Sequence, residues 1–297
     1  MAKVLYNEKI LPFYYKLGMS WEGLPAIEPG QFVMLRITEN AAPLLRRPFG
    51  IYKILGQGAS LPVRGRTQTG GKGQGVEIIY KVVGKGTGLM TNLKPGDIVD
   101  VLGPLGNSFQ PIGRVGAARQ NQRIIMAAGG IGIVPFYLLA KSYQLSGISL
   151  KLLFGGRGKD DLPGLEDFKK LGIEIKISTQ DGSAGEKGLV TELLKSEIRN
   201  PKSEIIYACG AKAMLKAVAK MAEDANTPCY VSLDNAMACG IGACLGCAVK
   251  IGSGKWEVES GESKPTSHLL PPTSQIYKMV CKDGPVFNAR EIAWEEI

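Results

Sequence analysis

The chain has 297 residues, enough at about 150 per domain for two domains and a small third. With 44% apolar and 21% charged residues, collagen-like, coiled-coil and wholly disordered classes are excluded. The formal charge of +9 is spread out: 14 basic and 7 acidic residues in 1–118, 16 and 12 in 119–228, 6 and 8 in 229–297. With only 7% aromatics, that diffuse excess argues against a nucleic-acid interface and suits phosphate-rich ligands.

The opening residues, Met1 to Lys9, lack an apolar leader run. The longest uncharged stretch, Ile124 to Ala140, carries Gly129, Gly130, Gly132 and Pro135 and is shorter than the roughly 20 residues of a spanning helix. A soluble, cytoplasmic protein without a membrane segment is expected. Short apolar runs at 32–37, 51–55, 76–83 and 97–102 are each punctuated by Gly or Pro, as in Lys94-Pro95-Gly96-Asp97. This pattern predicts an antiparallel barrel or sandwich. Gly56 to Gly75, with seven glycines and no acid, reads as a long hairpin extension. Arg46-Arg47-Pro48-Phe49-Gly50 is unusual for a plain strand. Two cations, a proline and an aromatic suit an anionic ligand with a flat ring. Val83-Gly84-Lys85-Gly86-Thr87-Gly88 is a second candidate phosphate loop. For both, surface charge and a tight turn are the plain alternatives.

A polar stretch at 114–122 marks the expected end of this first domain, 1–118. From Arg123 the pattern becomes strand and helix in alternation: strands at 124–128, 150–154, 173–177 and 205–209, and a helix over Ala213 to Asp224. That alternation predicts a parallel sheet of βαβ units over 119–228. Ala127-Ala128-Gly129-Gly130-Ile131-Gly132 follows the first of these strands and opens a helix, a place where backbone can approach a pyrophosphate. The fingerprint is incomplete, because no acid ends the next strand to hold a ribose; Phe154-Gly155-Gly156-Arg157 stands there. Thr179-Gln180-Asp181-Gly182 and Tyr207-Ala208-Cys209-Gly210 fall at two more strand ends, where ligands of open parallel sheets bind.

The last segment, 229–297, holds five of the six cysteines. Cys239, Cys244, Cys247 and Cys281 make C-x4-C-x2-C followed at a distance by a fourth, the spacing of a plant-type [2Fe–2S] cluster. Zinc knuckles, which pair ligands as C-x2-C, and a structural role are the competing readings. The sole histidine, His268, cannot supply the two imidazoles of a Rieske centre and reads as a loop residue.

In this order the motifs resemble the ferredoxin–NADP reductase superfamily. Leu44-Leu45-Arg46-Arg47-Pro48, Tyr80-Lys81-Val82-Val83-Gly84-Lys85-Gly86-Thr87, Leu102-Gly103-Pro104-Leu105-Gly106-Asn107, Ala238-Cys239-Gly240-Ile241-Gly242-Ala243-Cys244 and Val280-Cys281-Lys282-Asp283-Gly284-Pro285 carry the likeness. The cysteine set narrows it to the electron-transfer subunits of NAD-dependent, type B dihydroorotate dehydrogenases. The resemblance implies a β-barrel FAD domain, an α/β parallel-sheet NAD domain and a small C-terminal [2Fe–2S] domain. It implies an oxidoreductase subunit of pyrimidine (UMP) synthesis that takes electrons from an FMN-containing catalytic partner, in a heterotetramer of two copies of each chain, and passes them through the cluster and FAD to NAD+. Arg47, Pro48, Phe49 and Gly50 would then line the flavin. Ile79, Tyr80 and Lys81 would hold its ribityl side, and Gly86 and Thr87 its pyrophosphate. Gly129, Gly130, Gly132, Gly156, Arg157, Thr179 and Asp181 would bind the dinucleotide. Cys209 and Gly210 would sit at the nicotinamide, with Cys209 the catalytic candidate. The superfamily usually has a hydroxyl residue where Gly50 stands. Two alternatives remain: a related subunit exchanging electrons between NAD(P)H and ferredoxin, a hydrogenase or a sulfur-reducing partner, and a zinc-knuckle binding protein.

Overall fold

The computed structural model describes residues 1–37, 45–56, 75–109, 123–144, 148–198, 204–252 and 276–297. The interior of the 56–75 insertion, the 114–122 border, Leu44 and His268 lie outside them.

Seven strands build the first sheet: β1 (Ala2–Leu11), β2 (Tyr14–Ser20), β3 (Phe32–Arg36), β4 (Arg47–Gly50), β5 (Lys53–Leu55), β6 (Gly75–Lys81) and β7 (Ile98–Leu105). Their order is β4-β3-β7-β1-β2-β6-β5, every pairing antiparallel. The sheet curls, so that Phe49 on β4 meets Tyr80 on β6 edge to face with ring centres 6.3 Å apart. Leu17, Met19, Val33, Leu35, Val76 and Ile78 fill its interior. β5 and β6 pair with Leu55 opposite Gly75, so the glycine-rich insertion connects two hydrogen-bonded strands, as a hairpin extension requires. A short helix, α1 (Lys85–Met90), follows β6.

The second sheet begins with β8 (Arg123–Gly129), a 3-10 turn at Gly130–Ile133 and α2 (Phe136–Gln144). β9 (Ser149–Gly156), α3 (Leu165–Lys169), β10 (Glu174–Thr179), β11 (Glu186–Lys187), α4 (Val190–Glu197), β12 (Glu204–Cys209), α5 (Lys212–Asp224) and β13 (Cys229–Ser232) follow. A two-stranded ribbon of β14 (Ala248–Ile251) and β15 (Ile276–Met279) precedes β16 (Val286–Asn288). Sheet order is β11-β10-β9-β8-β12-β13-β16, parallel except for β16. β8 is buried on both faces because α2 covers one and α4 and α5 the other. Ile124, Met126 and Ala128 enter the first core, while Ile125 and Ala127 enter the second. The sheet continues past the expected 228/229 division: Cys229–Ser232 is its next parallel strand, and Val286–Asn288 closes its edge.

Candidate functional site

β8 and β12 are adjacent but followed by connections that leave in opposite directions along the sheet, so a crevice opens at their carboxyl ends. The two strand ends are very close. A Cβ on Gly132 would lie 2.2 Å from the Cys209 carbonyl oxygen, so only glycine permits this turn. Cys209 is buried, and that burial pushes its thiol up to about 12, with Asp234 adding to the effect. At neutral pH it is an uncharged contact surface and not a thiolate nucleophile.

The crevice widens into a cleft of about 820 Å³ between the barrel and the α/β sheet. Of the expected residues it gathers Arg47, Pro48, Phe49, Gly50, Ile79, Tyr80, Lys81 and Thr87 from the barrel side. From the sheet side come Gly129, Gly130, Gly132, Gly156, Arg157, Cys209 and Gly210. Gly86 lies directly under the Arg47 side chain. The Thr87 hydroxyl accepts the Val83 and Gly84 N–H groups at 2.9 and 3.2 Å, closing the first turn of α1. The Tyr80 hydroxyl donates to Asn7 Oδ1 at 3.1 Å, so its polar end is anchored to β1. Arg46, the other arginine of the pair, forms an ion pair with Asp100. Thr179 is fully buried and bonded to Ala184 through both its donor and its acceptor, so it shapes the turn after β10. Asp181 is exposed at the rim beyond the lining residues.

Gly50 packs against the β8–α2 turn. A Cβ there would stand 3.0 Å from Val134 Cγ1.

Sequence reading missed several cleft residues. Asp161 accepts from Tyr14 Oη, from Lys81 Nζ at 2.7 Å and from the Arg157 N–H at 3.2 Å. Burial alone would raise its carboxyl, but these bonds outweigh it and hold Asp161 below the usual range. Asp234 faces the cleft, and the protein around it raises its carboxyl, partly offset by Lys212. Met237 and Pro285 also line the cleft, and both come from the cysteine-bearing segment.

That segment wraps tightly. Gly240 and Gly242 have φ of +76° and +82°, and Leu245 reaches +57°, placing left-handed turns between the cysteines. Backbone N–H groups aim at sulfur: Gly242 at Cys281 Sγ (3.1 Å), Ile241 and Cys244 at Cys239 Sγ (3.5 and 3.4 Å), and Cys281 at Cys247 Sγ (3.4 Å). The Ile241 and Cys244 N–H groups lower the Cys239 thiol, while burial, with Cys247 beside it, raises Cys281. Cys244 stands beside Cys239 and Cys247 beside Cys281, and Cys239 also acts on Cys281. All four are free of disulfides. Among the described residues, no three His, Cys, Asp or Glu side chains converge as they would on a single metal ion. Paired thiols with N–H groups directed at sulfur fit a two-iron cluster.

Residues 234–259 match the family described as the iron-sulfur cluster binding domain of dihydroorotate dehydrogenase B. Residues 126–220 match the oxidoreductase NAD-binding domain. The chain is similar to the dihydroorotate dehydrogenase B (NAD(+)) electron transfer subunit of Caldanaerobacter subterraneus subsp. tengcongensis, 34% identical over 98% of this chain and 97% of that one. The Geobacillus kaustophilus protein of the same name is 37% identical over 89% of this chain and 86% of its own length. Among solved structures, the NADH-dependent reduced ferredoxin–NADP oxidoreductase of flavin-based electron bifurcation has a similar chain. It is 27% identical with a TM-score of 0.74, covering 99% of this chain and 90% of the other. Near-full-length identity above 30% in two relatives, together with a cysteine segment that matches the family's own cluster domain, means that this chain belongs to the family of dihydroorotate dehydrogenase B electron-transfer subunits.

Proposed function

We propose that the chain takes electrons from the FMN of a dihydroorotate-oxidising catalytic subunit and delivers them to NAD+, within a complex of two copies of each chain. The observation that carries this reading is the single cleft lined by the barrel, by the carboxyl ends of the parallel strands and by Met237 and Pro285 of the cysteine segment. This supports the reading because one cleft borders the barrel, the parallel sheet and the segment that carries the four cysteines, although the cysteines themselves do not line it. When bound, the cluster carries electrons singly, and FAD collects two of them for hydride transfer to NAD+.

The protein supplies position and electrostatics. Cys239 with Cys244 and Cys247 with Cys281 would each hold one iron; metal charge would deprotonate even the raised Cys281 thiol. Arg47, Pro48, Phe49, Gly50, Ile79, Tyr80 and Lys81 would hold the flavin, with Gly86 and Thr87 at its pyrophosphate. Gly129, Gly130 and Gly132 would take the NAD pyrophosphate, and Gly156, Arg157, Thr179 and Asp181 would form the adenosine end. Cys209 and Gly210 would face the nicotinamide as an apolar, uncharged contact. As binding units we divide the chain into 1–118, 119–228 and 229–297, the third lending two strands to the sheet of the second. No helix among the described residues is long and apolar enough to cross a membrane, and we place the chain in the cytoplasm, where NAD-linked chemistry operates.

The purified chain is expected to carry FAD and two irons. Cys244→Ser should remove the cluster absorption bands and stop electron flow from the partner, while NADH-to-dye transfer through FAD persists. Equal loss of dye reduction would show that the cysteine segment and the flavin site do not divide the work in this way.

A further inference from the structure

The four cysteines do not line the cleft, so protein stands between them and its barrel wall. Strand register shows which protein. β3 runs antiparallel to β4 with Phe32 opposite Gly50, Val33 opposite Phe49 and Met34 opposite Pro48. Side chains alternate between the faces of a strand, and opposed residues share a face with Cβ atoms about 4.5–5.5 Å apart. Val33 and Leu35 enter the barrel interior, and Phe49 packs there. Met34 and Pro48 therefore lie side by side on the outer face, where Pro48 borders the cleft.

The cysteine segment covers that same face. Met34 is fully buried in the apolar core that also holds Cys247, Val249, Val280 and Cys281. Gly240, the residue after Cys239, lies directly on it. A Cβ at Gly240 would stand 2.7 Å from Met34 Cγ and 3.4 Å from Met34 Sδ, so only glycine lets the loop come this close. One side chain thus touches the cysteine loop and neighbours the cleft-lining strand. A second barrel contact lies further along the chain from a cysteine: Phe32 reaches the Gly106 turn, which packs on Gly284 and Pro285 beyond Cys281. Cys247 and Cys281 are buried, while Cys244 is exposed. The cysteine set therefore has an inner side in the core that Met34 shares and an outer side at the surface.

We propose that Met34 is the residue across which electrons pass from the cluster to the flavin: its side chain fills the space between the cysteine loop and Pro48 and fixes their separation. This inference rests on the reading of β4 as the flavin wall. Each passage oxidises the cluster by one electron and reduces the flavin by one, with no bond made or broken at Met34. Two passages and one proton from water load the flavin for a single hydride transfer. Tunnelling between redox groups falls steeply with separation, and faster across a void than across packed atoms. Protein interiors are packed densely enough to exclude most such voids. Methionine suits the position, because its unbranched, polarizable thioether fills irregular gaps. Met34 is thus a positioning residue, left unchanged by the reaction.

The test measures transfer inside the full-length chain loaded with FAD and cluster. A photochemical one-electron donor supplies electrons, and bleaching of cluster and flavin is followed together. The part of flavin reduction that Cys244→Ser abolishes is the part that travels through the cluster. Met34→Leu keeps the volume and should match the parent. Met34→Val and Met34→Ala should slow that part severalfold, Met34→Ala the more, because each leaves a gap. The midpoint potentials of cluster and FAD, the electron paramagnetic resonance spectrum of the reduced cluster and the rate of flavin reduction by NADH should stay as in the parent. If the Met34→Ala chain does not fold, Met34→Val decides the comparison. Transfer through the cluster as fast as in the parent overturns the assignment of Met34 and leaves β4 as the flavin wall. Slowing that comes with shifted potentials, or with equally slow reduction by NADH, also overturns it, since Met34 would then act through packing alone. A parent that holds both groups but passes no electrons between them overturns the reading of β4 and this inference with it.

Discussion

Glu197, at the end of α4, is a buried carboxylate among cations. Lys176 Nζ lies 2.6 Å away, Lys151 Nζ 2.7 Å and Arg123 3.2 Å. Burial opposes its charge, but the lysine bonds prevail and lower its carboxyl from 4.5 to about 2. Its folded-state pKa is depressed, so the stability it contributes is complete above the unfolded value. That contribution is lost as pH falls from about 4.5 through about 2. Glu197→Gln should cost about 2 kcal/mol at neutral pH, because Lys151, Lys176 and Arg123 lose a shared buried carboxylate and Lys151 keeps only the exposed Glu174 at 2.6 Å. The gap between parent and variant, followed by denaturant unfolding, should close as the solution is acidified. A gap that does not change with pH would show that Glu197 acts through packing. None of this was visible in sequence, where Glu197 is one acid in a mixed helix. By contrast, the cluster cysteines were legible at the residue scale because three of the four lie within nine consecutive residues, 239–247, and a local loop alone brings them together.

At the scale of elements, legibility follows the same division. The central strands of the parallel sheet and the glycine turn after β8 were readable, since an uninterrupted apolar run and its punctuation are local signals. β1 and β2 were not: half of β1 is polar or exposed, and its pairing with β2 supplies what its own pattern lacks. β16 was also hidden, because a three-residue strand is specified by its partner β13 and by Asn107. Asn107 sits just past β7. Its Nδ2 donates to the Asp283 and Val286 carbonyls at 3.1 and 2.7 Å, and its Oδ1 accepts the Val286 N–H at 2.9 Å. Two motifs that sequence could only place side by side in a family pattern, Leu102 to Asn107 and Val280 to Pro285, are therefore physically joined. The join holds Pro285 at the cleft wall. Asn107→Ala strips three bonds and leaves backbone groups of the cysteine segment unpaired. We expect a loss of about 2 kcal/mol in denaturant unfolding, together with slower reduction of FAD by way of the cluster. Unchanged stability and unchanged electron flow would mean that the segment is held elsewhere.

For the whole molecule, two acids, Asp161 in the β9–α3 connection and Asp167 in α3, secure the barrel to the sheet. Asp161 holds Tyr14, 147 residues away, and Lys81. Asp167 takes Lys16 at 2.5 Å, Lys53 at 2.9 Å and the Tyr52 hydroxyl at 3.1 Å. Partners this far apart in the chain leave no sequence signal. Their effect is to hold the barrel wall of the cleft against its sheet wall. Met237 and Pro285, from the segment that carries the four cysteines, border the same cleft. The most direct test mixes the purified chain anaerobically with an FMN-containing dihydroorotate dehydrogenase catalytic subunit, adds dihydroorotate and NAD+, and follows NADH absorbance. NADH formation that requires both chains is the predicted result. A brown, flavin-containing chain that reduces dyes with NADH yet never couples to dihydroorotate would contradict the account and assign the cleft to a different electron donor, such as ferredoxin.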